Sequence, residues 1–279
     1  ARVANATADD QTGVRNRGPT GLSGAARLPF RQPESGGRCP GIRSGRERGT
    51  GQLFEAGNVV DAPALRRWAE LGAKAVEERR DEINVLNVFP VPDGDTGTNL
   101  LITLQSAVCE LHASGPGGSA ADVLDALARG AFAGARGNSG VILTQMLRGM
   151  ADAAATAEVL DAAGLAGALD RAATEVMRAL STPADGTIVS VLQAAAAGAA
   201  AVADDRGTGS DATAADVVLA AADAAAAALQ RTVTQLDVLA EAGVVDAGGL
   251  GLLILLDAFV EVTSGERPDR RLTLTTRPV

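Results

Sequence analysis

From Pro63 to about Phe259 the chain reads almost wholly as helix, and no strand pattern persists. Apolar residues recur at three- and four-residue spacing, and the segments between are rich in Gly, Pro, Ser and Asp, which punctuate helices. This predicts helices over 63–82, 98–113, 120–133, 140–155, 158–180, 187–203, 212–231 and 249–262, with a short connector near 234–242. Aromatic residues make up only 2% of a chain that is 46% hydrophobic, so its core must be built from Ala, Leu and Val. Small side chains at that density favour closely packed helices over a β-sandwich. The Ala tracts at 194–201 and 221–228 follow from the same helix propensity and tight packing. The lengths and short connections suit antiparallel neighbours. The expected fold is therefore all-α, an eight-helix antiparallel up-and-down barrel or bundle, and a Rossmann or P-loop sheet has no support.

The loops give that fold a polarity. Counted in order, the even long helices follow four unusual segments: Asp93-Gly-Asp-Thr-Gly-Thr98, Gly134-Ala-Arg-Gly-Asn-Ser-Gly140, Pro183-Ala-Asp-Gly-Thr187 and Val245-Asp-Ala-Gly-Gly249. In an up-and-down arrangement these helices begin at the same end. Their free backbone N–H groups and positive dipole ends would point at one place, which is an anion site with phosphate as its usual occupant.

The first of these segments sits in Asn87-Val-Phe-Pro-Val-Pro-Asp-Gly-Asp-Thr-Gly-Thr-Asn99. Pro90 and Pro92 hold the chain extended, and Gly94 and Gly97 open backbone angles closed to other residues. Asp93 and Asp95 flank Gly94 in a tight turn, so their carboxylates can face one point and suit a small hard cation such as Mg²⁺. The competing reading is that Asp95 or Thr96 merely caps a helix. An EF-hand is excluded, because Gly97 and Leu104 fall where calcium ligands are required. In the second segment the glycines admit phosphate to the backbone, Asn138 and Ser139 can donate hydrogen bonds, and Arg136 can offset charge. A glycine-rich start with Ser139 at the N-cap is the alternative. No Gly-Lys-Ser/Thr occurs, and the one lysine, Lys74, is far from any glycine loop. Asp185 and Thr187 could equally cap a helix. Asp246, Gly248, Gly249 and Gly251 imply close backbone approach, either to a ligand or to a neighbouring helix.

Composition excludes several classes. The net charge of −9 and pI near 4.7 argue against a nucleic-acid binder. Cys39 and Cys109 are far apart and form no CxxC, which points to a reducing, cytoplasmic compartment and no zinc site. A lone His112 cannot supply a histidine triad or metal cluster. The longest apolar run, Leu250 to Leu256, is cut off by Asp257 and falls short of a membrane span. Residues 1–50 hold nine Arg against four acids, a net of +5, which leaves −14 on residues 51–279. This basic, aperiodic segment is expected to be disordered, and it lacks the apolar region of a secretory signal.

Three of these motifs carry a family resemblance. Asn87 to Asn99, Gly134-Ala-Arg-Gly-Asn-Ser-Gly-Val-Ile-Leu143 and Gly243-Val-Val-Asp-Ala-Gly-Gly249 resemble the nucleotide-binding domain of bacterial fatty acid kinases, which is related to the ATP-binding L subunit of dihydroxyacetone kinases. The similarity runs from about Gln52 to Val262. It implies a helical barrel over residues 51–265 that holds Mg-ATP at one end, followed by a tail over 266–279. It implies that Asp93 and Asp95 ligate Mg²⁺ and act in catalysis. Thr96, Asn99, Gly137, Asn138, Ser139, Gly140, Thr187, Asp246 and Gly248 are then the expected nucleotide contacts. It also implies a lipid-carrying partner of the DegV type that presents a fatty acid carboxylate, with at most peripheral membrane association through that partner. A homodimer stays open. Thr96 stands where the dihydroxyacetone branch usually has His, which favours the fatty acid branch. The further metal-binding Asp that the dihydroxyacetone branch places just upstream has no counterpart at Val88, so Asn87 or a water would substitute. Asp185 stands where the fatty acid branch usually has Glu, and such kinases continue into further domains. A dihydroxyacetone-type kinase component and a nucleotide-binding module without turnover are the rival functions.

Overall fold

The computed structural model describes residues 58–204 and 212–275. The expectation for residues 1–50 and most of the 204–211 turn lie outside the described residues. Nine helices are present among them: α1 (Ala62–Val85), α2 (Thr96–Ala113), α3 (Ala120–Gly134), α4 (Gly137–Ala153), α5 (Ala162–Ala179), α6 (Ile188–Ala203), α7 (Ala214–Gln235), α8 (Asp237–Ala242) and α9 (Ala247–Ser264). Eight are long, and α8 is the short connector. The only β pairing among the described residues is two isolated bridges, Val60 with Leu160 and Val244 with Thr275.

Local chemistry sets the boundaries. Asp61 accepts from the Ala64 N–H to start α1, with Pro63 in its first turn. Ser119 with Asp122 and Thr213 with Asp216 form capping boxes at the starts of α3 and α7. Asp161 caps α5, so that helix begins at Ala162 and not near 158. Gly243 and Gly265 end α8 and α9 in the left-handed conformation.

The long helices pack in sequence around a ring, from α1 through α7 to α9, and α9 closes the ring against α1. Trp68 makes that closure. Its ring stacks on Phe259 with centroids 4.7 Å apart, and its indole N–H donates to the Leu255 carbonyl at 3.0 Å. Close approach between helices explains the small-residue composition. A Cβ on Gly149 would lie 2.6 Å from the Ala172 Cα, and one on Gly198 would lie 2.7 Å from the Ala220 carbonyl oxygen. The two Ala tracts are the facing surfaces of α6 and α7.

Every residue from Ala247 to Leu256 is buried, so α9 forms the most enclosed part of the barrel. By length and hydropathy α7 and α9 could each cross a membrane, although the run from Leu250 to Leu256 suggested no such helix. Packing consumes those surfaces: half of the apolar window of α7 and 72% of that of α9 lie buried inside the protein. Cys109 lies on α2, and Cys39 lies outside the described residues.

Residues 266–275, the start of the expected tail, return along α7 and α9. Arg270 bonds Asp257 of α9 at 2.6 Å and Asp223 of α7 at 2.8 Å, and Gln230 pairs with the Thr273 backbone. The Val245 N–H donates to the Leu274 carbonyl at 3.1 Å, which brings this strap back to the end where α9 starts.

Candidate functional site

Four helix N-termini meet at one end of the barrel. Gly137 and Gly140 of α4 lie against Asn99 and Thr103 of α2, so these two helices run parallel from a common start. Gly251 of α9 lies against Leu100 of α2, and Gly248 and Gly249 lie against Ile188 and Val191 of α6. All of these contacts lie in the N-terminal halves of the helices they join. The order across the mouth is α4, α2, α9, α6, as the alternation of the loops requires.

At α2 the acidic turn is held from behind. Asn87, itself buried, donates from Nδ2 to the Asp93 Oδ1 at 2.8 Å, and Asp93 is exposed. Gly94 takes φ +66 between the two acids. Asp95 occupies the N-cap position of α2 but makes no capping hydrogen bond. Asn84, at the end of α1, takes that role. Its Oδ1 accepts from the Gly97 and Thr98 N–H groups at 2.8 and 3.2 Å, and its Nδ2 donates to the Thr98 Oγ1 at 3.1 Å. The capping alternative for Asp95 is therefore not what the structure contains. Thr96 is buried in the first turn, and Asn99 is half-buried between α2 and α4.

The α4 start differs from the expected one by three residues. The helix begins at Gly137, with Arg136 at its N-cap position and no side-chain cap. The Arg136 guanidinium donates to the Ala135 carbonyl instead. Ser139 is thus the third helical residue and cannot be the N-cap. Gly137 and Asn138 are exposed and Ser139 half-buried, so the first-turn N–H groups face outward without a side-chain acceptor. The glycines here have a packing cause. Gly134 is pressed on Ser106, Gly137 on the Asn99 side chain and Gly140 on the Thr103 hydroxyl, and the Thr103 Oγ1 accepts from the Arg136 N–H. They let α4 start flush against α2, which sets its open first turn beside the acidic turn.

The other two N-termini are satisfied internally. Thr187 caps α6, accepting from the Val189 N–H at 3.4 Å and donating to the Ala184 carbonyl at 2.7 Å. Asp185 is exposed beside it. Asp246 caps α9, with its Oδ2 accepting from the Gly249 N–H at 2.6 Å. Burial pushes the Asp246 carboxyl up to about 6, a rise opposed by backbone N–H groups of Gly249, Ile188 and Gly248. One buried carboxylate thus serves the starts of both α9 and α6. Gly248 is packed on Ile188. The structure brings all the expected site residues to the same end. It places Asp93, Asp95, Gly137, Asn138 and Ser139 at the surface of the mouth, and Thr187, Asp246 and Gly248 behind it.

The donor set of the acidic turn fits Mg²⁺: two hard carboxylates, one spared from capping and one oriented by an amide. Among the described residues no group of three or more His, Cys, Asp or Glu could hold a metal ion. Mg²⁺ is commonly held by one or two carboxylates together with waters and phosphate oxygens. Two cavities lie elsewhere, one inside the barrel beside Trp68 and Leu147, the other an open groove of about 480 Å³ between α5 and α6. Sequence reasoning missed Asn84 and Thr103. The pair Asn84 and Asn87, three apart at the end of a helix, was the available signal.

An all-helical barrel with an acidic turn and an uncapped helix start at its mouth defines a narrow class. The chain belongs to the DAK2 domain family, whose match covers residues 90–261. It is 37% identical over 212 residues to protein YloV of Bacillus subtilis, covering 75% of this chain and 37% of that one. An uncharacterised protein of Staphylococcus saprophyticus is 34% identical over 207 residues, covering 74% and 36%. The chain thus spans little more than a third of the length of these relatives. The fold matches that of the dihydroxyacetone kinase of C. freundii, crystallised with AMP-PNP and Mg²⁺, at a TM-score of 0.53 and 19% identity over 79% of this chain and 37% of that one. The native form of that kinase matches at 0.50 and 17% identity, covering 79% and 38%.

Proposed function

We propose that this domain binds Mg-ATP at the convergent mouth and transfers the γ-phosphoryl group to a fatty acid carboxylate, giving an acyl phosphate. The observation that carries this is the pairing of a spared Asp95 with an uncapped α4 first turn. One supplies unused negative charge and the other unused N–H donors, side by side. Asp93 and Asp95 would hold the cation, which would supply positive charge to offset that of the phosphates. The N–H groups of Gly137, Asn138 and Ser139 would donate to a phosphate oxygen, with the Ser139 hydroxyl as a further donor. Asp246 keeps the α6 and α9 starts neutralised, so the phosphate is directed to the α2–α4 side of the mouth. The acceptor carboxylate is already ionised at neutral pH, so no general base is required. The fatty acid reading rests on the resemblance of the three motifs, and on Thr96 in place of His; the acceptor would arrive on a lipid-binding partner of the DegV type.

Calorimetry of ATP binding to the full chain, with and without Mg²⁺, tests the nucleotide reading: binding should tighten with the metal. No binding in either condition would sink it. Phosphoryl transfer to a fatty acid carried by such a partner, against transfer to dihydroxyacetone, decides the acceptor.

A further inference from the structure

We infer that Asn84 is a positioning residue, a helix cap supplied from a neighbouring helix so that Asp95 is left for the metal. The inference rests on the proposed Mg-ATP site but has its own geometric basis. Each side chain that caps its own helix here sits on an extended backbone: ψ is 176° at Asp61, 174° at Ser119, −175° at Asp161, −177° at Thr187, 162° at Thr213 and 125° at Asp246. That conformation is what turns an N-cap side chain back onto the N2 and N3 amides. Asp95 alone among the Asp, Ser and Thr residues at N-cap positions has ψ 0°, and its carboxylate makes no such bond. The amides it would have served, Gly97 and Thr98, are taken by the Asn84 Oδ1.

The arrangement is built. Gly97 lets the first turn of α2 sit on the Arg80 carbonyl of α1, and a Cβ there would meet that oxygen and the Asn84 side chain. This contact brings a residue thirteen positions upstream within reach of α2's amides. An amide suits the position better than a carboxylate would. It accepts both N–H groups without adding a negative charge behind Asp93 and Asp95, and its Nδ2 is used on the Thr98 hydroxyl. Asn87, one turn on, holds Asp93. The two asparagines divide the work: one frees Asp95 and the other aims Asp93.

The test is a thermal double-mutant cycle on the metal-free full chain with Asn84→Ala and Asp95→Ala, combined with Mn²⁺ titrations in the presence of ATP followed by electron spin resonance. Asp95→Ala alone should leave the midpoint within about 1 °C, because no cap is lost. Asn84→Ala should lower it by about 2–4 °C, the worth of one cap in a domain of this size. Adding Asp95→Ala to Asn84→Ala should lower it again by about 2 °C, because Asp95 will have turned into the vacant cap. Mn²⁺ affinity should fall about tenfold in Asn84→Ala, as for other residues that orient ligands, and return to within about threefold of wild type in Asn84→Asp, which keeps the acceptor. A lowered midpoint in Asp95→Ala alone overturns the inference, and that arm decides even if Asn84→Ala does not fold. Equal loss of Mn²⁺ affinity in the Ala and Asp variants at position 84 also overturns it. Failure of the wild type to bind Mn²⁺ with ATP would refute the metal site, while the thermal cycle still decides who caps α2.

Discussion

Asp93 and Asp95 stand two residues apart yet are held by different means, one by the amide of Asn87 and the other by being excused from its helix. Their amide variants therefore separate charge from shape. Asp93→Asn and Asp95→Asn should melt within a degree or two of wild type, yet lose the Mg²⁺-dependence of ATP binding and almost all phosphoryl transfer. Transfer at wild-type rates in either folded variant would remove that residue from the metal site. Asp246 makes the opposite prediction, about stability. Its folded pKa of about 6 lies above the ordinary 3.8, so between these values the native state holds more proton than the unfolded chain. Its contribution to stability is therefore greatest below pH 4, declines as pH rises to about 6, and is flat above. The total change is on the order of 3 kcal/mol. Asp246→Asn should abolish this slope, so the wild type should lose ground to the variant from pH 4 to 6 in urea titrations. Parallel pH curves would mean that the carboxylate is hydrated and not buried.

At the scale of elements, the contact between α2 and α4 decides whether the site exists. Gly140 sits on Thr103, so Gly140→Ala must push the α4 start off α2. Gly149, farther along the same helix, sits on Ala172 of α5. Each substitution overpacks a helix contact and should cost about 1–3 kcal/mol of stability. Only Gly140→Ala should also weaken Mg-ATP binding, because only that contact aligns the open first turn with the acidic turn. Equal affinities for ATP in the two variants would show that α4 does not contribute to the nucleotide site. The same contact explains why the glycine loop was ambiguous in sequence: close helix packing and phosphate approach both select glycine, and here the first positions the second.

For the whole molecule, closure of the ring depends on α9, which is held by Trp68 on one side and by the returning strap on the other. Arg270 is the strap's anchor. Its side chain and that of Asp257 are only 14% and 15% exposed. Burial raises the Asp257 carboxyl even with Arg270 beside it. Arg270→Ala strands this buried carboxylate and should cost about 3 kcal/mol, with Arg270→Ala/Asp257→Leu recovering most of it. No loss in the single variant would mean that the strap is not bound to the barrel in solution. The strap was the least legible part of the fold, because residues 266–275 carry no periodicity and are placed only by their partners on α7 and α9.

What the sequence determined by itself was the set of helices, their alternation and the polarity of the barrel, because helix periodicity, caps and loop parity are local or follow from chain connectivity. Asp93 and Asp95 were legible for the same reason: a turn between a proline pair and a helix start is written in consecutive residues. Only the tertiary structure decided which helix starts are open. Asp246 reaches the amide of Ile188, Asn84 reaches the amides of Gly97 and Thr98, and at α4 Thr103 reaches only the Arg136 amide, leaving those of Gly137, Asn138 and Ser139 without a side-chain acceptor. Those assignments depend on which side chains of distant segments meet across the mouth. No local pattern encodes that, because a cap supplied from a neighbouring helix leaves no spacing of its own in the chain it caps.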